Sequence, residues 1–176
     1  MKYIPLLLFF LAISTTNCET TQPDTIFNPP YYSQLDPRWA NITLGYGPAT
    51  IGSAGCLMTS VTSMMAGLGI KVGGVIPTPP DMNTWLLNNG GYESGYGFVW
   101  ASIEKLGFKL EGFVNDTAKT IDALNSGKRV FLHVLNGHHY VLGVADNGWG
   151  YETMDPIYPG RVYAYQEVVE TTIYSL

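Results

Sequence analysis

The sequence predicts an α+β fold, with helices in the first half of the chain and antiparallel strands in the second. Apolar residues recur at helical spacing directly after Cys56, whereas residues 129–135 and 139–145 are short apolar runs of the kind that form strands. Asp146-Asn147-Gly148 then predicts a tight turn, with a returning strand over residues 149–154. A helical segment followed by a hairpin indicates segregated helices and strands rather than an alternating α/β order.

The composition is that of one globular domain with a single core. The chain has 176 residues, of which 46% are hydrophobic and 13% charged. Its net charge is −5, whereas a nucleic-acid-binding surface needs an excess of Lys and Arg, so nucleic acid is not an expected partner. No segment after the N-terminal apolar run is long and apolar enough to cross a bilayer, so we expect no integral membrane span.

The N-terminus has the layout of a signal peptide. Lys2 supplies a positive charge, residues 4–13 are an almost unbroken apolar run, and small polar residues follow. We therefore assign residues 1–18 to a signal peptide, 19–30 to a Thr/Pro-rich linker and 31–176 to the folded domain, and we expect a secreted or extracytoplasmic protein.

The cysteine count leaves one thiol in the folded domain, Cys56, so no disulfide framework is expected. Cys18 lies beside the signal peptide and is an alternative site for a lipid anchor. Asn17 is not the small residue that lipoprotein signals place there, so we favour cleavage without lipidation. Asn41 and Asn115 match the N-glycosylation pattern, which matters only in a eukaryotic host.

Four helices are predicted in the first part of the domain. The clearest follows Gly55, with Ser53 as its N-cap and Gly69 as its C-terminal stop. Small residues form a stripe along it, which would let another element pack closely. The other predicted helices cover residues 79–88, 98–106 and 118–126, each followed within two residues by glycine. Further strands are predicted over residues 161–165 and 170–174.

Cys56 is the candidate nucleophile. A helix N-terminus stabilises a thiolate through its unpaired N–H groups and the helix dipole, and the same N–H groups could hold an oxyanion. The alternative interpretation is a small, inert cysteine in a buried helix.

His139 and Asp155 are the candidate base and its orienting carboxylate. His139 opens a strand, and the predicted hairpin returns Asp155 to the beginning of that strand, where it could accept a hydrogen bond from the imidazole. The alternatives are a structural histidine and an Asp-Pro turn. His138 is expected to be peripheral and His133 structural. No metal or cofactor is expected, because the thiol and the histidines lack the usual ligand spacing.

These motifs together resemble the papain-like peptidases related to the bacteriocin-processing cysteine peptidase family. The resemblance covers residues 31–156 and is carried by Gln-x-Asp-Pro-x-Trp from Gln34, Ser-x-Gly-Cys ending at Cys56, His139-Tyr140-Val141 and Asp155-Pro156. It implies a papain-like fold in which the buried Cys-bearing helix packs on a C-terminal antiparallel sheet.

The resemblance also implies roles for four residues: Cys56 as nucleophile, His139 as general base, Asp155 as orienter and Gln34 in the oxyanion hole. We therefore expect a cysteine peptidase that cleaves amide bonds in a peptide or protein substrate. Two alternatives stay open. One is a catalytically decayed module that binds a peptide or glycan, and the other is a cell-wall amidase or acyl transferase that uses the same residues.

Overall fold

Helices and one large antiparallel sheet make up the fold, so the α+β class is confirmed. The computed structural model describes residues 27–176. The predicted signal peptide, Cys18 and the first part of the predicted linker lie outside the described residues. Within residues 27–176, no helix combines the length and hydrophobicity that a membrane crossing requires.

The elements follow one another along the described chain. The helices are α1 (Ile51–Ala54), α2 (Cys56–Gly67), α3 (Pro79–Asn88) and α4 (Thr117–Asn125). The strands are β1 (Tyr92–Glu93), β2 (Gly97–Phe98), β3 (Lys109–Val114), β4 (Arg129–Val134), β5 (His139–Asp146), β6 (Gly150–Met154), β7 (Val162–Ala164) and β8 (Glu170–Ser175). Short 3-10 helices cover Trp100–Leu106, Leu135–Gly137 and Tyr165–Glu167.

The sheet has six antiparallel strands in the order β3-β8-β4-β5-β6-β7. The predicted hairpin is present as β5 and β6, and its register pairs Leu142 with Met154. The next residue, Asp155, therefore lies near Val141, two positions from His139. The hairpin thus brings a carboxylate to the start of β5.

Each face of the sheet covers its own core, because side chains alternate along a strand. One core joins the apolar side of α2 to the sheet residues Phe131, Leu142 and Tyr174. The other joins Ala123 of α4 to sheet residues on the opposite face, among them Val130, Leu132, Val141 and Ile173. A fully buried side chain of this kind contributes about 1.5–3 kcal/mol, so the two cores hold the helices on the sheet.

Helix α2 begins differently from the prediction. Ser53 was expected to cap it, but Ser53 belongs to α1, where it forms a capping box with Thr50. The N-cap of α2 is Gly55, which separates the two helices at φ −85° and ψ 15°. A Cβ on Gly55 would lie 2.4 Å from the carbonyl oxygen of Ile51, so only glycine fits this close turn.

The small-residue stripe of α2 does allow close packing. The hydroxyl of Ser60 donates to the carbonyl of Tyr140 on β5 at 3.4 Å. A Cβ on Gly67 would lie 2.7 Å from Cα of Pro29. Phe27 also contacts the body of the protein, with its ring 4.1 Å from the guanidinium of Arg129.

Three further local predictions differ from the structure. Residues 98–106 were predicted as an α-helix, but Phe98 belongs to β2 and Trp100–Leu106 is a 3-10 helix. Asp116, rather than Thr117, caps α4. Strand β3 was not predicted, because its apolar residues are few and its pairing partner β8 lies far along the chain.

We expect Gly55→Ala to lower the free energy of unfolding by about 2–3 kcal/mol, because the new methyl group overlaps the backbone of α1. Gly148→Ala is the matched control. Gly148 has φ +91° but nothing within 4 Å of its Cβ position, so its cost should be limited to backbone strain of about 1 kcal/mol. Urea denaturation of both variants measures the difference, and equal losses would contradict the steric explanation.

Candidate active site

Cys56 is the first residue of α2, and its side chain is a free, partly exposed thiol. The first N–H groups of a helix have no partner within the helix. The thiol therefore lies beside unpaired donors, where solvent and a ligand can reach it. This placement favours a reactive cysteine over the inert, fully buried cysteine of the alternative interpretation.

The structure places His139 against Asp155. Nε2 of the imidazole lies 2.8 Å from Oδ1 of the carboxylate. His139 is 3% exposed and Asp155 is 0% exposed, so this contact is shielded from water. The carboxylate therefore determines the orientation of the ring and which nitrogen faces away from it.

Cys56 is the second group that acts on the imidazole. Burial alone would lower the pKa of His139, but the hydrogen bond with Asp155 and the interaction with Cys56 outweigh it and raise this pKa from 6.5 to about 9. Because Nε2 is bound to Asp155, Nδ1 is the nitrogen left for the thiol. Carboxylate and thiol thus both act on the same imidazole.

Asp155 is held by four hydrogen bonds. Besides His139, the N–H groups of Ile157 and Tyr158 donate to Oδ1 at 2.8 and 3.0 Å, and the hydroxyl of Tyr163 donates to Oδ2 at 2.7 Å. Burial would raise the pKa of this carboxyl, but these bonds, that from His139 foremost, lower it. Asp155 is therefore ionised despite its burial.

Tyr163 is a further residue of the site, and no local sequence pattern identifies it. It lies on β7, is fully buried and forms part of the core on the α4 side of the sheet. Its sequence context predicts a strand, and a buried tyrosine hydroxyl needs a hydrogen-bond partner. The sequence gives no sign that this partner is Asp155, since the contact depends on the pairing of β7 with β6.

Gln34 connects the two halves of the site. Its Nε2 donates to the carbonyl of Gly52 at 3.0 Å, and its backbone N–H donates to the carbonyl of Pro156 at 3.0 Å. The side chain of Gln34 thus contacts the residue four positions before Cys56, and its backbone contacts the residue directly after Asp155. Of the two N–H groups on Nε2, one has an acceptor among the described residues. Oε1 of Gln34 is buried without a partner among the described residues.

The other two histidines lie outside this constellation. His138 is exposed. The ring of His133 stacks on that of Tyr140, with 3.9 Å between centroids and 6° between planes. Within residues 27–176, no group of three or more His, Cys, Asp or Glu side chains could hold a metal ion. Asn41 and Asn115, the glycosylation candidates, are both exposed.

Comparisons of the chain with models of protein families, with curated proteins and with solved structures gave no match. The chemistry of the site is therefore inferred from its own residues.

The stability of the protein should fall as the pH rises through 9. The pKa of His139 is raised in the fold from 6.5 to about 9, so its bound proton stabilises the fold fully below pH 6.5 and this contribution disappears above pH 9. Urea unfolding between pH 6 and 10 should show a loss on the order of 2 kcal/mol that His139→Gln lacks. Identical pH dependence in the two proteins would contradict the raised pKa.

Tyr163→Phe should lower the free energy of unfolding at pH 7 by about 1–3 kcal/mol, because Oδ2 of buried Asp155 loses its donor. The lowered pKa of Asp155 stabilises the fold above its ordinary value of 3.8, and this stability is lost as the pH falls through the folded-state pKa. Acid unfolding should therefore begin at a higher pH in the variant.

The matched control for this prediction is Tyr165→Phe. The hydroxyl of Tyr165 also donates to a carboxylate, that of Asp146 at 2.5 Å, but Asp146 is half-buried. The control should lose less stability, since solvent can replace the missing donor. Circular dichroism during urea and acid titration measures both variants, and equal losses would show that Tyr163 has no special role.

Proposed function

We propose that this protein is an exported cysteine peptidase with a papain-like fold. One observation carries the proposal: the buried contact between His139 and Asp155, with Cys56 at the start of α2 acting on the same imidazole. A thiol, a base and a carboxylate that orients the base are the parts that nucleophilic acyl transfer needs. Export is inferred from the signal-peptide pattern of residues 1–18.

The arrangement of the elements supports the papain-like assignment. Helix α2 carries the cysteine at its first residue and contacts β5, the strand that begins with the histidine. The carboxylate follows β6, the hairpin partner of that strand. A Cys-bearing helix beside an antiparallel sheet that supplies His and Asp is the arrangement that the resemblance implies.

The first half of the reaction follows from the proton positions. The reactive state is a thiolate–imidazolium pair: His139 holds the proton given up by the Cys56 thiol, because its pKa of about 9 keeps it protonated at neutral pH, and Asp155 stabilises the imidazolium. The thiolate attacks the amide carbonyl, and the oxyanion is held by the backbone N–H of Cys56 and the free N–H of Gln34 Nε2. His139 then gives its proton to the leaving amine, which leaves a thioester on Cys56.

The second half restores the thiolate–imidazolium pair. His139, now neutral, takes a proton from water, and the hydroxide attacks the thioester carbonyl while the same donors hold the oxyanion. Collapse releases the carboxylic acid, and the proton on His139 is again paired with the Cys56 thiolate. All the catalytic groups in this scheme, as distinct from the water and the substrate, belong to the chain itself.

An enzyme accounts for the burial of the site better than a binding module does. An ionised carboxylate at 0% exposure is costly unless it is fully hydrogen-bonded. Here the hydrogen bonds of Asp155 hold the carboxylate against a single imidazole, which interacts with a partly exposed thiol. A groove that only binds a peptide or glycan has no need of that arrangement.

We expect Cys56→Ala to abolish hydrolysis of a mixed peptide library while leaving the thermal unfolding temperature nearly unchanged. The substitution removes only the sulfur of a partly exposed side chain, so little packing is lost. Product formation is followed by mass spectrometry. Activity that persists in this variant would eliminate the thiol mechanism.

Two controls separate this function from its alternatives. Ser53→Ala removes another exposed polar group close to the site and should keep most of the activity. Peptidoglycan digested in parallel with the peptide library identifies a cell-wall amidase if only peptidoglycan yields products. A native protein whose Cys56 resists a thiol-reactive probe and which cleaves neither substrate would be a binding module.

A further inference from the structure

Three residues on three neighbouring strands form a row at the end of the sheet that carries His139. His133 on β4 pairs with Tyr140 on β5 and with Glu170 on β8. We call Tyr140, His133 and Glu170 the terminal row. Since neighbouring strands lie about 4.8 Å apart, the row is about 10 Å long.

The terminal row lies on the face of the sheet that α2 covers. Thr171 accepts a hydrogen bond from Thr120 of α4 at 3.0 Å, so the preceding residue, Glu170, points to the opposite face. Val141 packs in the core on the α4 side, whereas Tyr140 packs against the core on the α2 side. Glu170 and Tyr140 thus share the face on which α2 lies.

One end of the row lies beside the candidate nucleophile. Ser60, one turn after Cys56, donates to the carbonyl of Tyr140 at 3.4 Å. Burial, and then the negative charges of Glu170 and Cys56, raise the pKa of Tyr140 to about 12. The phenol of Tyr140 therefore stays protonated, and it interacts electrostatically with both Glu170 and Cys56.

The far end of the row carries a carboxylate, Glu170, that forms no ion pair with a Lys or Arg among the described residues. The carboxylates that pair with Lys or Arg in residues 27–176 are those of Asp36, Glu111 and Glu167, and Glu170 is not among them. All three residues of the terminal row are partly exposed, so a ligand can reach them. A half-buried carboxylate without a cation attracts a positive group more strongly than an exposed one does.

We propose that the terminal row is a substrate subsite in which Glu170 binds the basic side chain of a Lys or Arg near the scissile bond. This inference rests on the proposed peptidase function and names its substrate class. The stacked rings of His133 and Tyr140 contact the apolar stem of the basic side chain, while its charged end reaches the carboxylate. A short or acidic side chain lacks one or both contacts.

The test compares N-acetylated peptides that carry Lys, norleucine, Gln or Glu at single positions within three residues of the cleaved bond. Acetylation removes the terminal amine, so only the side chain supplies the charge. At one position, the kcat/KM for Lys should exceed that for norleucine by about five- to tenfold. Glu170→Gln should reduce this ratio to about one, and Glu170→Lys should invert the preference toward Glu.

The matched control is Glu152→Gln, which removes the same charge from an exposed position on β6 and should leave the Lys preference intact. Binding of the same peptides to the Cys56→Ala variant, followed by fluorescence anisotropy, measures the preference without hydrolysis. A Lys preference that is absent, or that Glu170→Gln leaves unchanged, overturns the subsite even if the wild-type protein cleaves peptides.

The two proposals fail in different ways. If Cys56→Ala binds Lys peptides through Glu170 but the wild-type protein cleaves none of them, the subsite stands and the peptidase function does not. If cleavage depends on Cys56 but neither cleavage nor binding depends on Glu170, the peptidase function stands and the subsite is wrong.

Discussion

The buried carboxylate of Asp155 is the group on which the rest of the site depends. It is 0% exposed, and an ion so far from water is tolerated only when its lone pairs are occupied. The imidazole of His139, two backbone N–H groups and the hydroxyl of Tyr163 occupy them. Because each donor belongs to the β5–β7 region, the pairing of these strands also determines the orientation of the imidazole.

A second constraint joins this sheet region to the helical half. Gln34 binds Gly52 through its side chain and Pro156 through its backbone, so it lies between the segment before Cys56 and the segment after Asp155. Glycine at position 55 permits the close turn from α1 into α2. Together these contacts explain how residues far apart in sequence converge without a disulfide or a metal among the described residues.

Local signals predicted some parts of the fold well. Helix α3 covers the predicted residues 79–88. Its bounds depend on local residues only: the capping box of Thr78 and Asp81 at its start and the helix-breaking residues after its end. The β5–β6 hairpin follows likewise from its turn. Strand β3 and the 3-10 helix before it were not predicted, since their conformation depends on β8 and on packing around Trp100.

The sequence by itself determined the α+β class, the helix that follows Gly55 and the hairpin that returns Asp155 to His139, because each depends on short-range periodicity or turn chemistry. Only the tertiary structure decided that Tyr163 donates to Asp155, that Gln34 joins both halves of the site, and that Glu170 shares a face with Tyr140. These contacts depend on strand order and on which face each strand presents, and neither is encoded in the spacing of neighbouring residues.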